Sequence, residues 1–128
     1  NAIVKDVKSN INTELTPRIF DQDDQTGWST ERFQQKGDYL LFELKDTMKL
    51  NGISILSGTG KYEYPQDLQI EGSENGIDWE ILPLTYQTQS DYAFSPAEVR
   101  YIKLMLDQDS DENAWAVNNV MFHVVLNQ

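Results

Sequence analysis

The sequence predicts an all-β domain, an antiparallel jelly-roll β-sandwich. Short runs alternate apolar and polar residues, turn-forming residues punctuate them, and no long stretch carries a helical period. The 128 residues suit a single domain, 1–128. A chain of this length buries roughly two-thirds of its unfolded surface and needs no covalent staple. An apolar content of 39%, with 3 Trp, 6 Tyr and 5 Phe, is enough for one core.

Taken in order, residues 1–14 read as a linker or irregular lead-in, and VKSNINTELTPRIF as a short helix or an irregular approach. YLLFEL (39–44) is a strand with Leu40, Phe42 and Leu44 on one face. LNGISIL (50–56) repeats the pattern with Ile53 and Ile55, and LQIEGS (68–73) with Leu68 and Ile70. SGTGKYEYPQ between them is a loop marked by glycine and proline. SENGIDWEIL (73–82) reads as a hairpin, because Asn75-Gly76 supplies positive φ cheaply. VRYIKLML (99–106) offers Ile102, Leu104 and Leu106 to the core, and VNNVMFHVV (117–125) offers Val120, Phe122 and Val124. About eight short strands without repeats or linkers fit two packed sheets.

Composition excludes several functions. The chain has no cysteine, which removes disulfides, zinc–thiolate sites and a cysteine nucleophile. A net charge of −11 and a pI near 4.3 repel nucleic acid and anionic membranes, so neither is an expected partner. No run approaches the ~18 apolar residues of a membrane span, and no signal segment is visible. The first residue is Asn1 rather than Met, which leads us to expect a processed chain or an excised domain.

The succession FDQDDQTGWST, GDYLLFELKDTMKLNGISIL, LQIEGSENGIDWEIL, VRYIKLML and AWAVNNVMFHVV resembles the discoidin domain family. That family includes the coagulation-factor C domains and the family 32 carbohydrate-binding modules of bacterial glycosidases. The resemblance covers about residues 15–126 and implies a galactose-binding-domain-like sandwich. The opening TPRIF…TGWST…GDYL is similar to domains appended to bacterial glycosidases that act on hexosamines, such as families 84 and 20.

In the acidic loop, Asp21, Asp23 and Asp24 repel one another unless something offsets their charge. The resemblance implies a structural calcium ion with Asp21, Asp23 and Thr26 as side-chain ligands and Asn119 at the place of a terminal-strand Glu. Calcium's demand for six to eight hard oxygens agrees with such a loop; a solvated loop without metal is the other reading. Two residues depart from the family pattern: Gln22 stands for a glycine, and Asn119 for the carboxylate.

The resemblance puts the ligand loops at one end of the sandwich, near the calcium loop. The corresponding segments 29–36, 57–65 and 86–93 offer Arg32, Phe33, Tyr62, Tyr64, Tyr86 and Tyr92. Of these, Arg32, Tyr62, Tyr64 and Tyr92 are the expected ligand-binding residues, since a sugar needs aromatic stacking and polar partners. Trp28 and Trp79 match core positions of the family, and Trp115 is also assigned to structure.

The second acidic run, DQDSDEN (107–113), fails as an EF-hand, because Glu112 and Asn118 occupy the places of the required Gly and Glu. It reads as a hydrated connection. Glycosidic chemistry needs two carboxylates at a fixed separation in a cleft, and no pair here is marked by a catalytic setting. His123, the only histidine, alternates with apolar residues and reads as a sheet residue.

The expectation is therefore a non-catalytic carbohydrate-binding module, extracellular or periplasmic and bacterial. It would target an attached glycoside hydrolase to a hexosamine- or galactose-containing glycan. The alternative is a structural or protein-interaction domain of such an enzyme, without a sugar site.

Overall fold

A computed structural model describes residues 3–58 and 63–126. Among the described residues, nine strands and one short helix follow in the order β1 (Val4–Ser9), a 3-10 helix (Thr13–Phe20), β2 (Trp28–Phe33), β3 (Tyr39–Leu56), β4 (Leu68–Ser73), β5 (Glu80–Ile81), β6 (Leu84–Gln87), β7 (Asp91–Leu106), β8 (Ala114–Val117) and β9 (Asn119–Val124). The expected all-β sandwich is present. The lead-in is more regular than expected: β1 pairs antiparallel with β3, and the helix buries Thr16 and Ile19.

Two long strands, β3 and β7, run through both layers. Residues 39–43 of β3 pair with 101–105 of β7, flanked by β1 and β4, and β5 continues that layer beside β4. After a register shift between Glu43 and Met48, residues 48–54 of β3 pair with 91–99 of β7. In this second layer β9 lies beside β3 and β6 beside β7. The shift falls at the exposed KDT segment (45–47), where alternation lapses and the ladder turns a corner. The sequence suggested separate strands at 39–44 and 50–56; the backbone keeps them as one.

Each layer turns its alternate residues inward. Leu40, Phe42, Leu44, Ile70, Ile102 and Leu104 come from the first, and Ile53, Ile55, Phe94, Val120 and Phe122 from the second. The Phe42 and Phe122 rings meet edge-on across the interior at 5.3 Å. A two-stranded ribbon, β2–β8, holds the Trp28–Trp115 edge contact at 5.0 Å. Both indoles are fully buried, and Trp28 Nε1 donates to the Ile11 carbonyl at 2.9 Å.

Two expectations need correction. Val124 is exposed, because the last strand is leaving the core there. Trp79 is half-buried outside the core, with the Lys103 ammonium 4.5 Å from its ring centre, an arrangement that suits the ring's negative face. The expected hairpin at 73–82 is present, β4 pairing antiparallel with β5 across a six-residue loop (74–79). Asn75 Oδ1 accepts from the Ile77 and Asp78 amides at 2.8 Å, so side-chain bonds shape it while Gly76 supplies φ 78.

At the corner of β3, the Lys45 amide donates to the Ile3 carbonyl (2.9 Å) and the Val125 amide to the Lys49 carbonyl (2.8 Å). At the opposite ends of β3, Tyr39 follows β2 along the chain, and the Leu56 carbonyl accepts from the Asn118 amide, just past β8, at 2.7 Å.

Candidate functional site

The acidic loop leaves the 3-10 helix at Phe20 and closes on itself. Asp21 Oδ1 accepts from the Asp23 amide (2.9 Å), and Asp23 Oδ1 accepts from the Gln25 amide (2.9 Å). The Asp23 carbonyl accepts from the Thr26 amide and hydroxyl, both at 3.1 Å, and the hydroxyl also reaches Asp21 Oδ2. Gln22 takes φ 64, the left-handed conformation that glycine adopts without strain. Thr26's hydroxyl first, and the Asp23 amide second, hold the Asp21 carboxyl below its ordinary value of 3.8.

On the strand side, the residue that meets this loop is Asn118 rather than the expected Asn119. Asn119 is exposed, paired with Leu56 across the ladder. Asn118 is 5% exposed; its Oδ1 accepts from the Gly58 amide (3.1 Å) and its Nδ2 donates to the Asp24 carbonyl (2.7 Å). The Gly58 N–H requires an acceptor, which fixes the amide's orientation. Gly27 packs so closely that a Cβ there would fall 2.7 Å from the Val117 carbonyl and overlap Asn118 Oδ1.

This donor set does not fit calcium in this arrangement. Asp21 accepts at both carboxylate oxygens and Asp23 at Oδ1 and its carbonyl, the Thr26 hydroxyl spends its proton on them, and Asn118 turns an N–H₂ toward the loop. Among the described residues, no group of three His, Asp or Glu side chains is placed to hold a metal. Calcium asks for six to eight oxygens.

Beyond the loop, β2 carries a bulge against β8. The register slips between Ser29 and Phe33, with Glu31 at φ 54 and the Thr30 hydroxyl donating to the Arg32 carbonyl at 2.7 Å. Arg32 then forks onto Asp38, with Nη2–Oδ1 at 2.8 Å and Nη1–Oδ2 at 3.1 Å. Asp38 is buried and also accepts from Asn10 Nδ2 and the Gln35 amide. The expected ligand residue Arg32 is thus committed to a bidentate clamp.

Gln34 is 1% exposed and joins three segments. Its Nε2 donates to the Tyr64 and Ala114 carbonyls (3.0 and 3.3 Å), and its Oε1 accepts from the Gln66 amide at 3.0 Å. Its backbone bonds Asn113 and Ser110. Nothing in the sequence marked Gln34 or Asp38 beyond their being polar residues next to a strand.

The remaining expected residues divide. Tyr62 lies outside the described residues. Tyr64 is half-buried, with its carbonyl held by Gln34. Tyr92 was expected on the ligand surface, but it points into the core at 3% exposure, because its place in β7 alternates inward with Phe94. Burial pushes its phenol up to about 12. Tyr86 is exposed on β6, and segment 86–93 does not line the clefts beside β2.

Two clefts flank β2. One, of about 270 Å³, lies between the acidic loop and Gly58, Glu63 and Asn118. The other, of about 570 Å³, is lined by Phe33, Gln35, Lys36, Asp109, Ser110 and Asp111 over Gln34. Phe33 is 57% exposed there. The Lys36 amide donates to Asp109 Oδ1 at 2.8 Å, joining the two lips. An exposed ring beside hydroxyl, amide, ammonium and carboxylate groups can stack on a C–H face and bond hydroxyls around it. The second acidic run therefore forms one wall of this cleft as well as a connection.

Ser54, Asp91 and His123 also meet, on the outer sheet face. Ser54 Oγ lies 2.6 Å from Asp91 Oδ1 and 2.9 Å from His123 Nε2. A hydrolytic triad has the acid orienting the imidazole; here the acid bonds the serine instead.

The architecture is a jelly-roll β-sandwich with loop-built clefts beside β2. The F5/8 type C domain profile matches residues 7–120, and the chain belongs to that family. Solved structures with the same fold include the CBM32-1 and CBM32-2 domains of Clostridium perfringens ZmpB, at 18% identity and TM-score 0.78. They cover 94% of this chain, which spans 34% of theirs. A pectin-binding carbohydrate-binding module is 22% identical, with 93% and 89% of the two chains covered and a TM-score of 0.72. The C. perfringens module CpGH89CBM32-5, in complex with GalNAc-β-1,3-galactose, is 12% identical, with 92% and 94% covered and a TM-score of 0.74. No curated protein sequence matches the chain.

Proposed function

We propose that this chain is a non-catalytic carbohydrate-binding module, and that the Phe33 cleft is its sugar site. The carrying observation is an exposed phenylalanine over a cleft whose floor is immobilised by Gln34 and whose walls offer Lys36, Asp109, Ser110 and Asp111. A volume of about 570 Å³ falls within the roughly 300–1,000 Å³ of small-ligand sites. The structural neighbours support the reading, since their descriptions name pectin and GalNAc-β-1,3-galactose as ligands.

The module works by tethering. Weak affinity for a hexosamine- or galactose-containing glycan raises the effective concentration of an attached glycoside hydrolase at its substrate, outside the cell or in the periplasm. A glycan array and calorimetric titrations with galactose and N-acetylhexosamines at millimolar concentration test this. Saturable binding to at least one sugar is expected, and no binding above background to any overturns it.

A second reading, a domain that packs against its enzyme, is favoured by Ile77 and Ile81, 79% and 59% exposed along the β4–β5 hairpin. Sugar-independent association with the neighbouring catalytic domain, lost on replacing both by serine, establishes it.

A further inference from the structure

We infer that the Asn118 carboxamide does the mechanical work that the resemblance assigns to calcium, and that the acidic loop holds its shape without the ion. A cation in such a loop draws oxygens from separate segments to one point. Here one buried amide performs that task with two hydrogen bonds. It takes the Gly58 N–H on one side and gives its own N–H to the Asp24 carbonyl on the other, at 3.1 and 2.7 Å. Three segments far apart in sequence, 21–27, 57–58 and 117–118, are thereby tied through one side chain.

Further features agree. Both carboxylate oxygens of Asp21, one of Asp23 and the Asp23 carbonyl already accept hydrogen bonds within the loop. Asp21 accepts from Asp23 N–H and the Thr26 hydroxyl, Asp23 from Gln25 N–H, and the Asp23 carbonyl from Thr26. The Asp residues stay exposed, so water screens their mutual repulsion and no counter-cation is needed to bury them. Gly27 then lets the loop backbone seat directly on the Asn118 oxygen, a fit that any side chain would break. At the place of the family-pattern carboxylate stands Asn119, exposed and paired with Leu56, a neutral carboxamide with one oxygen and no charge to offer calcium.

The test uses this chain as it stands. Thermal unfolding is followed in millimolar calcium and in excess chelator, and terbium luminescence reads direct ion uptake. The inference expects the same midpoint in both buffers and no saturable terbium signal; a rise of several degrees with calcium overturns it, because an ion that binds only the folded state must stabilise it. The amide's role is read separately by hydrogen exchange at Gly58. Its N–H is expected to be protected equally with calcium and with chelator, and to lose protection in Asn118→Ala, whose midpoint falls by several degrees in both buffers. Unchanged Gly58 exchange or an unchanged midpoint in that variant refutes the amide tie. If Asn118→Ala does not fold, the wild-type calcium comparison and the wild-type Gly58 protection still decide.

Discussion

Replacing Gln34 by methionine removes its amide but keeps close to its volume, so the hydrogen bonds are tested with little cavity contribution. Three side-chain bonds disappear: two to the Tyr64 and Ala114 carbonyls and one from the Gln66 amide. The two carbonyls keep a donor in Asn113 Nδ2, at 3.4 and 2.9 Å, so their loss is cushioned. The Gln66 amide loses its acceptor outright. With about 1 kcal/mol net per bond and more for a stranded donor, the loss is about 2 kcal/mol. At this chain length that is a midpoint drop of roughly 6–12 °C. Thermal and urea unfolding give the magnitude, and hydrogen exchange at Gln66 gives the cause, since its N–H is expected to exchange faster in the variant. A midpoint within one degree of wild type (about 0.2 kcal/mol at this size), with Gln66 still protected, refutes the hub.

Phe33→Ala should leave the unfolding midpoint nearly unchanged, because the ring is more than half exposed. It should weaken sugar binding at least about tenfold in calorimetry, the equivalent of roughly 1.4 kcal/mol of lost stacking; unaltered affinity removes the ring from the site. In an NMR titration, Asp21 should protonate below 3.8 and move back toward 3.8 in Thr26→Val. A carboxyl depressed in the fold stabilises it above the unfolded value and loses that contribution as pH falls through the folded one, so the effect belongs to acid below 3.8. Spectrophotometric titration should show one tyrosine ionising near 12, absent in Tyr92→Phe. A phenol raised in this way favours the fold below pH 10.0, and that contribution is lost as pH climbs toward about 12; a tyrosine spectrum complete well before that shows the ring to be wet.

Much of the fold was legible because alternation is a backbone property. Leu40, Phe42, Leu44, Ile102, Leu104 and Leu106 are buried as their period of two requires. Corners were harder to read. Ser95, Pro96 and Glu98 disguise the middle of β7, and Lys45 to Thr47 disguise the middle of β3, because a strand changing layers exposes its residues without ending. In the site, residue type alone did not separate Tyr92 from Tyr86; only the phase of each in its strand does. Arg32 looked like a ligand group because the partner that occupies it, Asp38, is recognisable only once the bulge has folded the two together. The one-residue slip from Asn119 to Asn118 has the same origin: β8 ends and β9 begins around Asn118, and a bend there decides which amide turns toward the loop.

The corner of β3 has a geometric consequence. Ile3 and Val125 are both bonded to it, at Lys45 and Lys49, while Phe33 and Asn118 sit at the strand's far ends. Chain continuing past either residue would leave from one pole of the sandwich, and the cleft would face out from the other. A pull between two flanking domains would then load the bonds at the corner and the short ladders of β1 and β9, while bypassing the loops around the Phe33 cleft. In the proposed tethering role, drag on an attached enzyme would reach the anchorage first and the grip last.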